Sequence, residues 1–164
     1  MELWQVRKRY RQVAMRLRRR KGPADLMLQT VEEQVLATLA LCDRLETELC
    51  VLKMARRCAR ARLRRLRRWV ESSGIYPALP APLTRKDDVP AVEELERELA
   101  RHGRDSTSLR QLLDELAWLD RRTEDSRERL ARMSALGARN LELLLTYVRA
   151  RGIRLSLERP AGGD

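Results

Sequence analysis

From Leu28 to Val70 a single heptad frame runs without interruption: Leu28, Val31, Val35, Thr38, Cys42, Leu45, Leu49, Leu52, Arg56, Ala59, Leu63, Leu66 and Val70 follow one another in steps of three and four. That spacing places all of them on one stripe of an α-helix, and neither a strand nor a loop requires it. A helix over 25–71 is about 70 Å long at 1.5 Å per residue, far longer than the diameter of a small domain. The chain is therefore confined to folds in which long helices lie side by side. Leu36, Leu39 and Leu41 widen the apolar face of the first half beyond a two-helix seam, so that half needs more than one neighbour.

The remaining elements follow from the same periodicity and its interruptions. Leu3, Val6, Tyr10, Val13 and Leu17 mark a short helix over 2–20, closed by Gly22-Pro23, because proline removes a backbone donor and disfavours helix at the residue before it. Asp25 is placed to accept from free amides at the start of the next helix. Ser72-Ser73-Gly74 ends the long helix, and Pro77, Pro80 and Pro82 rule out regular helix in the connector 72–89. A short helix over 90–102 carries Val92, Leu95 and Leu99 on one face, with acids crowding its start, where the helix dipole favours them. A second long helix over 106–151 is marked by Leu109, Leu112, Leu116, Leu119, Thr123, Ser126, Leu130, Met133, Gly137, Asn140, Leu144 and Tyr147, with Gly152 as its C-cap. Residues 159–164 form a flexible tail. The expected fold class is all-α: a long-helix antiparallel coiled-coil hairpin or helical bundle with a proline-rich connector. It divides into an N-terminal half, 1–71, and a C-terminal half, 90–158.

Composition agrees with thin helix-on-helix cores, since the chain has no Phe and only two Ile, Ile75 and Ile153, and 36% of its residues are charged. The net charge of +11 is unevenly distributed. Residues 1–22 carry +8 and 53–70 carry +9, whereas 23–52 carry −5 and 71–103 carry −3. Folding back at the connector with Val70 near Val89 makes facing residues sum to about 159. Acidic residues of the short helix 90–102 then lie along Lys53 to Arg68, Thr38 lies near Thr123 and Gly22-Pro23 near Gly137. Opposite charges and shared polar layers of this kind select partner and register in coiled coils.

No chemistry-bearing motif emerges. There is no Gly-rich phosphate loop, and the one histidine, His102, leaves a Ser or Cys nucleophile without a base. Cys42, Cys50 and Cys58 recur every eight residues, about 12 Å apart along one helix, too far for a disulfide and unsuited to zinc. The expectation is a protein without catalytic residues, cofactor or metal, and with no segment able to span a membrane.

What the sequence does offer is surface. Leu3, Trp4, Val6, Tyr10, Val13, Leu17, Leu36, Leu39, Leu141, Leu145 and Val148 are the candidate interface with a protein partner or a second copy, because the apolar faces they build exceed what one hairpin covers. Arg56, Arg57, Arg60, Arg62, Arg64, Arg65, Arg67 and Arg68 are the candidate polyanion-binding set, for nucleic acid or an acidic protein surface. Leu63 and Leu66 keep the heptad within that block, which argues against sequence-specific reading of bases by a basic zipper arm.

Long Leu/Arg heptad helices around a proline connector are similar in style to small subunits of cytoskeletal, centrosomal and kinetochore assemblies. The similarity implies a non-catalytic coiled-coil scaffold or complex subunit, cytoplasmic or nuclear and associated with the cytoskeleton. Nonspecific nucleic-acid binding through Arg-rich helix faces is the alternative.

Overall fold

The computed structural model describes residues 1–18, 25–72, 93, 96, 97, 99–101 and 107–153, and among them there is no strand. The helices whose bounds fall within these residues are α1 (Leu3–Arg18), α2 (Leu26–Ser72) and α3 (Thr107–Ala150). The all-α class and the three heptad-marked helices expected from sequence are thus observed, with ends shifted by no more than two residues. The connector expected over 72–89 is described only at Ser72, and the tail 159–164 not at all. Of the short helix 90–102, the described residues Glu93, Glu96, Arg97 and Leu99 to Arg101 are helical.

Three of the helix ends are closed by a local device. At α1 the Gln5 side chain accepts from the Glu2 backbone N–H at 3.0 Å, the reciprocal half of a capping box. The Asp25 carboxylate accepts from the Leu28 N–H at 3.2 Å, which makes Asp25 the N-cap of α2. At the end of α3, Gly152 has φ +67°, its N–H donates to the Arg149 carbonyl at 2.9 Å, and the Ile153 N–H donates to the Val148 carbonyl at 3.2 Å. This is a Schellman closure, and Ile153 packs on the core that holds Val148. An L side chain at the left-handed position is strained, so Gly152→Ala is expected to cost about 1 kcal/mol in chemical denaturation; no loss would mean that the cap contributes nothing.

The chain forms two compact units, and these do not follow the two sequence halves. The first combines 1–46 with 128–164, the second is 47–127. Antiparallel pairing explains the difference, because it brings the beginning of α2 beside the end of α3.

In the first unit three helices share one core. Val6, Tyr10, Val13 and Ala14 of α1 pack with Leu28, Val35 and Leu39 of α2 and with Leu141, Leu144, Leu145 and Val148 of α3, all buried. A 16-residue helix is marginal alone in water, so α1 owes its stability to this packing. Gly137 lies where the three meet: a Cβ there would be 3.4 Å from Thr38 Cγ2 and 4.0 Å from Val6 Cγ1. Beside it, buried Thr38 donates to the Gln34 carbonyl at 2.7 Å and accepts from Asn140 Nδ2 at 3.1 Å.

In the second unit Leu52 and Ala59 of α2 are buried against Leu112, Leu116 and Leu119 of α3, with Ala55 and Leu63 at the margin. Arg56, which occupies a seam position of the heptad frame, faces Asp120 at 2.5 Å from Nε to Oδ1. Neither atom has a hydrogen-bonding geometry, so the contact is an ion pair held by charge and proximity. Glu48 accepts from Ser126 at 3.0 Å and pairs with Arg122 at 2.8 Å.

The register differs from the expected one. Thr38 with Asn140, Glu48 with Ser126, and Arg56 with Asp120 sum to 174–178 rather than 159. Thr38 therefore pairs with Asn140, while the Thr123 hydroxyl donates to the Leu119 carbonyl of its own helix at 2.6 Å. Gly137 meets Thr38 and Val6; Gly22-Pro23 lies outside the described residues. Glu96 pairs with Arg110 of α3 at 2.9 Å. Asp120 and Glu115, both on α3, face the α2 arginines Arg56 and Arg62. A heptad repeat specifies which stripe of a helix is buried but is satisfied equally by registers a whole number of heptads apart, so periodicity alone was degenerate.

Candidate interaction surfaces

Most residues expected to meet a partner are covered by the chain's own helices. Val6, Tyr10, Val13, Leu39, Leu141, Leu145 and Val148 are buried in the core of the first unit, and Leu3 and Leu17 pack against it half-buried. Only Trp4 and Leu36 of that set remain exposed, Trp4 at 60%. A third helix supplies the cover that a hairpin lacks, and this is why face width alone overestimated the open surface.

Other large apolar side chains do remain open on the first unit. Trp4 and Met15 lie eleven residues apart on the outward side of α1, with Lys8 and Arg11 between them. Leu136 and Leu143 lie one heptad apart on the side of α3 opposite its core stripe, Leu143 at 52% exposure, and Leu36 and Leu41 are exposed on α2. Of these, Leu41 was expected only to widen the face of α2, and Met15, Leu136 and Leu143 were missed as interface candidates because they fall off the seams; an exposed large apolar residue inside an otherwise polar stripe was the available signal. Trp118 is exposed on the second unit.

Three arginines of the first unit pair with acids of a neighbouring helix or its cap. Arg7 pairs with Glu46 at 2.7 Å and with Asp43, and Arg9 pairs with Glu142 at 3.5 Å. The hydrogen bonds that Arg7 donates to Glu46 lead the effects that raise the Arg7 pKa above its usual value. Arg151 pairs with Asp25 at 3.3 Å and lies over the Tyr147 ring.

Two buried titratable groups line this unit. Burial pushes the Cys42 thiol up, which holds it protonated, while Cys50 and Cys58 are exposed. The Tyr10 hydroxyl donates to Glu32 at 3.0 Å. Burial, and then that carboxylate, push its pKa up from the usual value near 10 to about 12. Folding thus favours the neutral phenol. This contribution is complete below pH 10 and is lost as pH rises through about 12. The stability gap between the chain and its Tyr10→Phe variant is expected to be constant from pH 7 to about 9.5 and to shrink above pH 10. Melting curves across that range test it, and a gap that widens with pH would contradict the assignment.

The α2 arginines fall into two classes in the second unit. Arg56 and Arg62 turn toward α3, Arg56 to Asp120 and Arg62 to Glu115 at 3.4 Å. Arg57, Arg64, Arg65 and Arg68 are exposed, with no ion-pair partner among the described residues; Arg60 is exposed and reaches Asp120 only at 3.9 Å. The Arg67 side chain and His102 lie outside the described residues. Lys53, Arg57, Arg60, Arg64 and Arg68 recur in steps of three and four, so all five cations stand on one side of α2.

Among the described residues no group of three or more His, Cys, Asp or Glu is arranged to hold a metal ion, and no helix is long and apolar enough to cross a membrane. No protein-family model, curated protein or solved structure matches the chain.

Proposed function

We propose that the chain is a non-catalytic helical scaffold or subunit of a multiprotein assembly, in which the first unit supplies the protein-binding surface. One observation carries this reading. After α1, α2 and α3 have closed their shared core, Trp4, Met15, Leu36, Leu41, Leu136 and Leu143 still stand in water on the three-helix unit. Apolar side chains grouped on outward helix faces mark contact surfaces, and tryptophan is enriched among residues that dominate contact energies. The setting for such a subunit is cytoplasmic or nuclear, with a cytoskeletal assembly the closest in style.

The test is the molar mass of the nuclease-treated protein by light scattering after size exclusion, together with binding of a hydrophobic dye. Self-association, or aggregation relieved by a co-purifying protein, is expected, and Leu136→Glu with Leu143→Glu is expected to abolish it while leaving helicity intact. A monodisperse monomer that binds no dye would sink the proposal.

A further inference from the structure

The second unit carries a surface that protein scaffolding does not use. Lys53, Arg57, Arg60, Arg64 and Arg68 form a row on one side of α2 that spans 16 residues, about 22 Å from first to last at a rise of 1.5 Å per residue. All five are exposed, and no acid interrupts α2 between Lys53 and Arg68. The nearest described carboxylate, Asp120, is engaged at 2.5 Å by Arg56 and lies 3.9 Å from Arg60. Like charges three and four residues apart destabilise a helix by a few tenths of a kcal/mol per pair, so a ligand that neutralises them recovers stability as it binds.

We propose that this row binds the phosphate backbone of duplex nucleic acid without reading its sequence, an activity separate from the protein contacts of the first unit. The side-chain chemistry selects the ligand class. Four of the five cations are arginine, whose planar fork donates two hydrogen bonds to one phosphate and keeps its charge at all physiological pH. The row contains no Asn or Gln to address base edges and no aromatic ring on which an unpaired base would stack. Its ligand therefore recognises it as a regular array of charge, which a duplex backbone supplies. A membrane surface fits less well, because an interfacial helix inserts an apolar face, and Leu52 and Ala59 of this segment are already buried against α3. A folded protein partner fits less well too, since the row has no aromatic anchor and the exposed apolar Met54 lies only at its start.

The experiment is fluorescence anisotropy of two labelled 25-base-pair DNA duplexes of unrelated sequence, titrated with the full chain between about 50 and 200 mM salt. Both duplexes are expected to bind alike, with log K falling against log salt at a slope approaching −4.5 if all five cations reach phosphates, about −0.9 for each. The variant R57Q/R60Q/R64Q/R68Q is expected to bind roughly 100- to 1,000-fold more weakly near 0.15 M salt, with a slope shallower by about 3 to 4. Its helicity and melting temperature show whether it is folded. K8Q/R11Q/R18Q, which removes exposed cations from α1 instead, is expected to lose less than tenfold. The proposal is overturned by absence of binding at the lowest salt, by a folded quadruple variant that binds like the unmodified chain, or by an equal loss in the α1 variant. Row-dependent binding to phosphatidylserine vesicles without duplex binding would overturn it in favour of a lipid surface. None of these outcomes bears on the oligomer measurement that tests the scaffold reading.

Discussion

Leu144→Ala is expected to destabilise the chain by about 3 kcal/mol, within the range of roughly 2–5 kcal/mol for emptying a buried leucine site. Leu144 is fully buried in the one core that α1, α2 and α3 share. Removing its terminal carbons loses their transfer from water and leaves a cavity, and walls contributed by three helices cannot all close over it. Because α1 is too short to persist on its own, the loss should reach that helix as well. Trp4→Ala, on the exposed side of α1, is expected to change stability by no more than about 0.5 kcal/mol. Urea unfolding followed by circular dichroism compares the two. Similar costs for both would mean that the shared core is not where the stability resides.

The second large effect is a reversal of sign at one position. Gly137→Ala is expected to stabilise α3 by about 0.5–1 kcal/mol, since alanine is the better helix former and its Cβ meets Thr38 and Val6 at ordinary contact distances of 3.4 and 4.0 Å. Gly137→Leu is expected to destabilise by about 1–3 kcal/mol, because the further carbons have no space between Thr38 and Val6 and push α1 or α2 outward. Proteolysis should then cut first within α1, whose contact with Gly137 is made through Val6. A leucine variant as stable as the alanine variant would show that the close approach of the three helices at Gly137 is wrong.

The ion pair between Arg56 and Asp120 bears on how the register is chosen. An arginine in a heptad seam is unfavourable in most registers, and here it finds a carboxylate at 2.5 Å on the facing helix. Both side chains keep partial contact with water, so the pair adds little to stability and more to the selection of one alignment over its heptad-shifted neighbours. Thr38 with Asn140 does the same in the first unit.

How far the surface could be read in advance differs between its two parts. The basic block on α2 was visible as charge, but not its division: Arg56 and Arg62 are drawn to acids of α3, whereas the row from Lys53 to Arg68 faces outward. The apolar surface was visible as excess face width, yet Val6, Tyr10 and Val13 turned out to be the chain's own cover for α2 and α3. Leu143 stays exposed although Leu141 and Leu145, two residues to either side, are buried, and Leu136 stays exposed one heptad before it.

Helix identity and helix ends were therefore legible without coordinates, because both depend on local rules: apolar periodicity, the Asp25 carboxylate at an open N-terminus, and the freedom of Gly152 to adopt a positive φ. The alignment of α2 with α3, the seating of α1 on both, and the separation of paired from open arginines depend on contacts between residues as much as 102 positions apart, such as Thr38 and Asn140. A repeating heptad supports several alignments of nearly equal apolar burial. Packing around Gly137 and the pairing of a few polar residues across the seams select among them, and neither is a property of any segment alone.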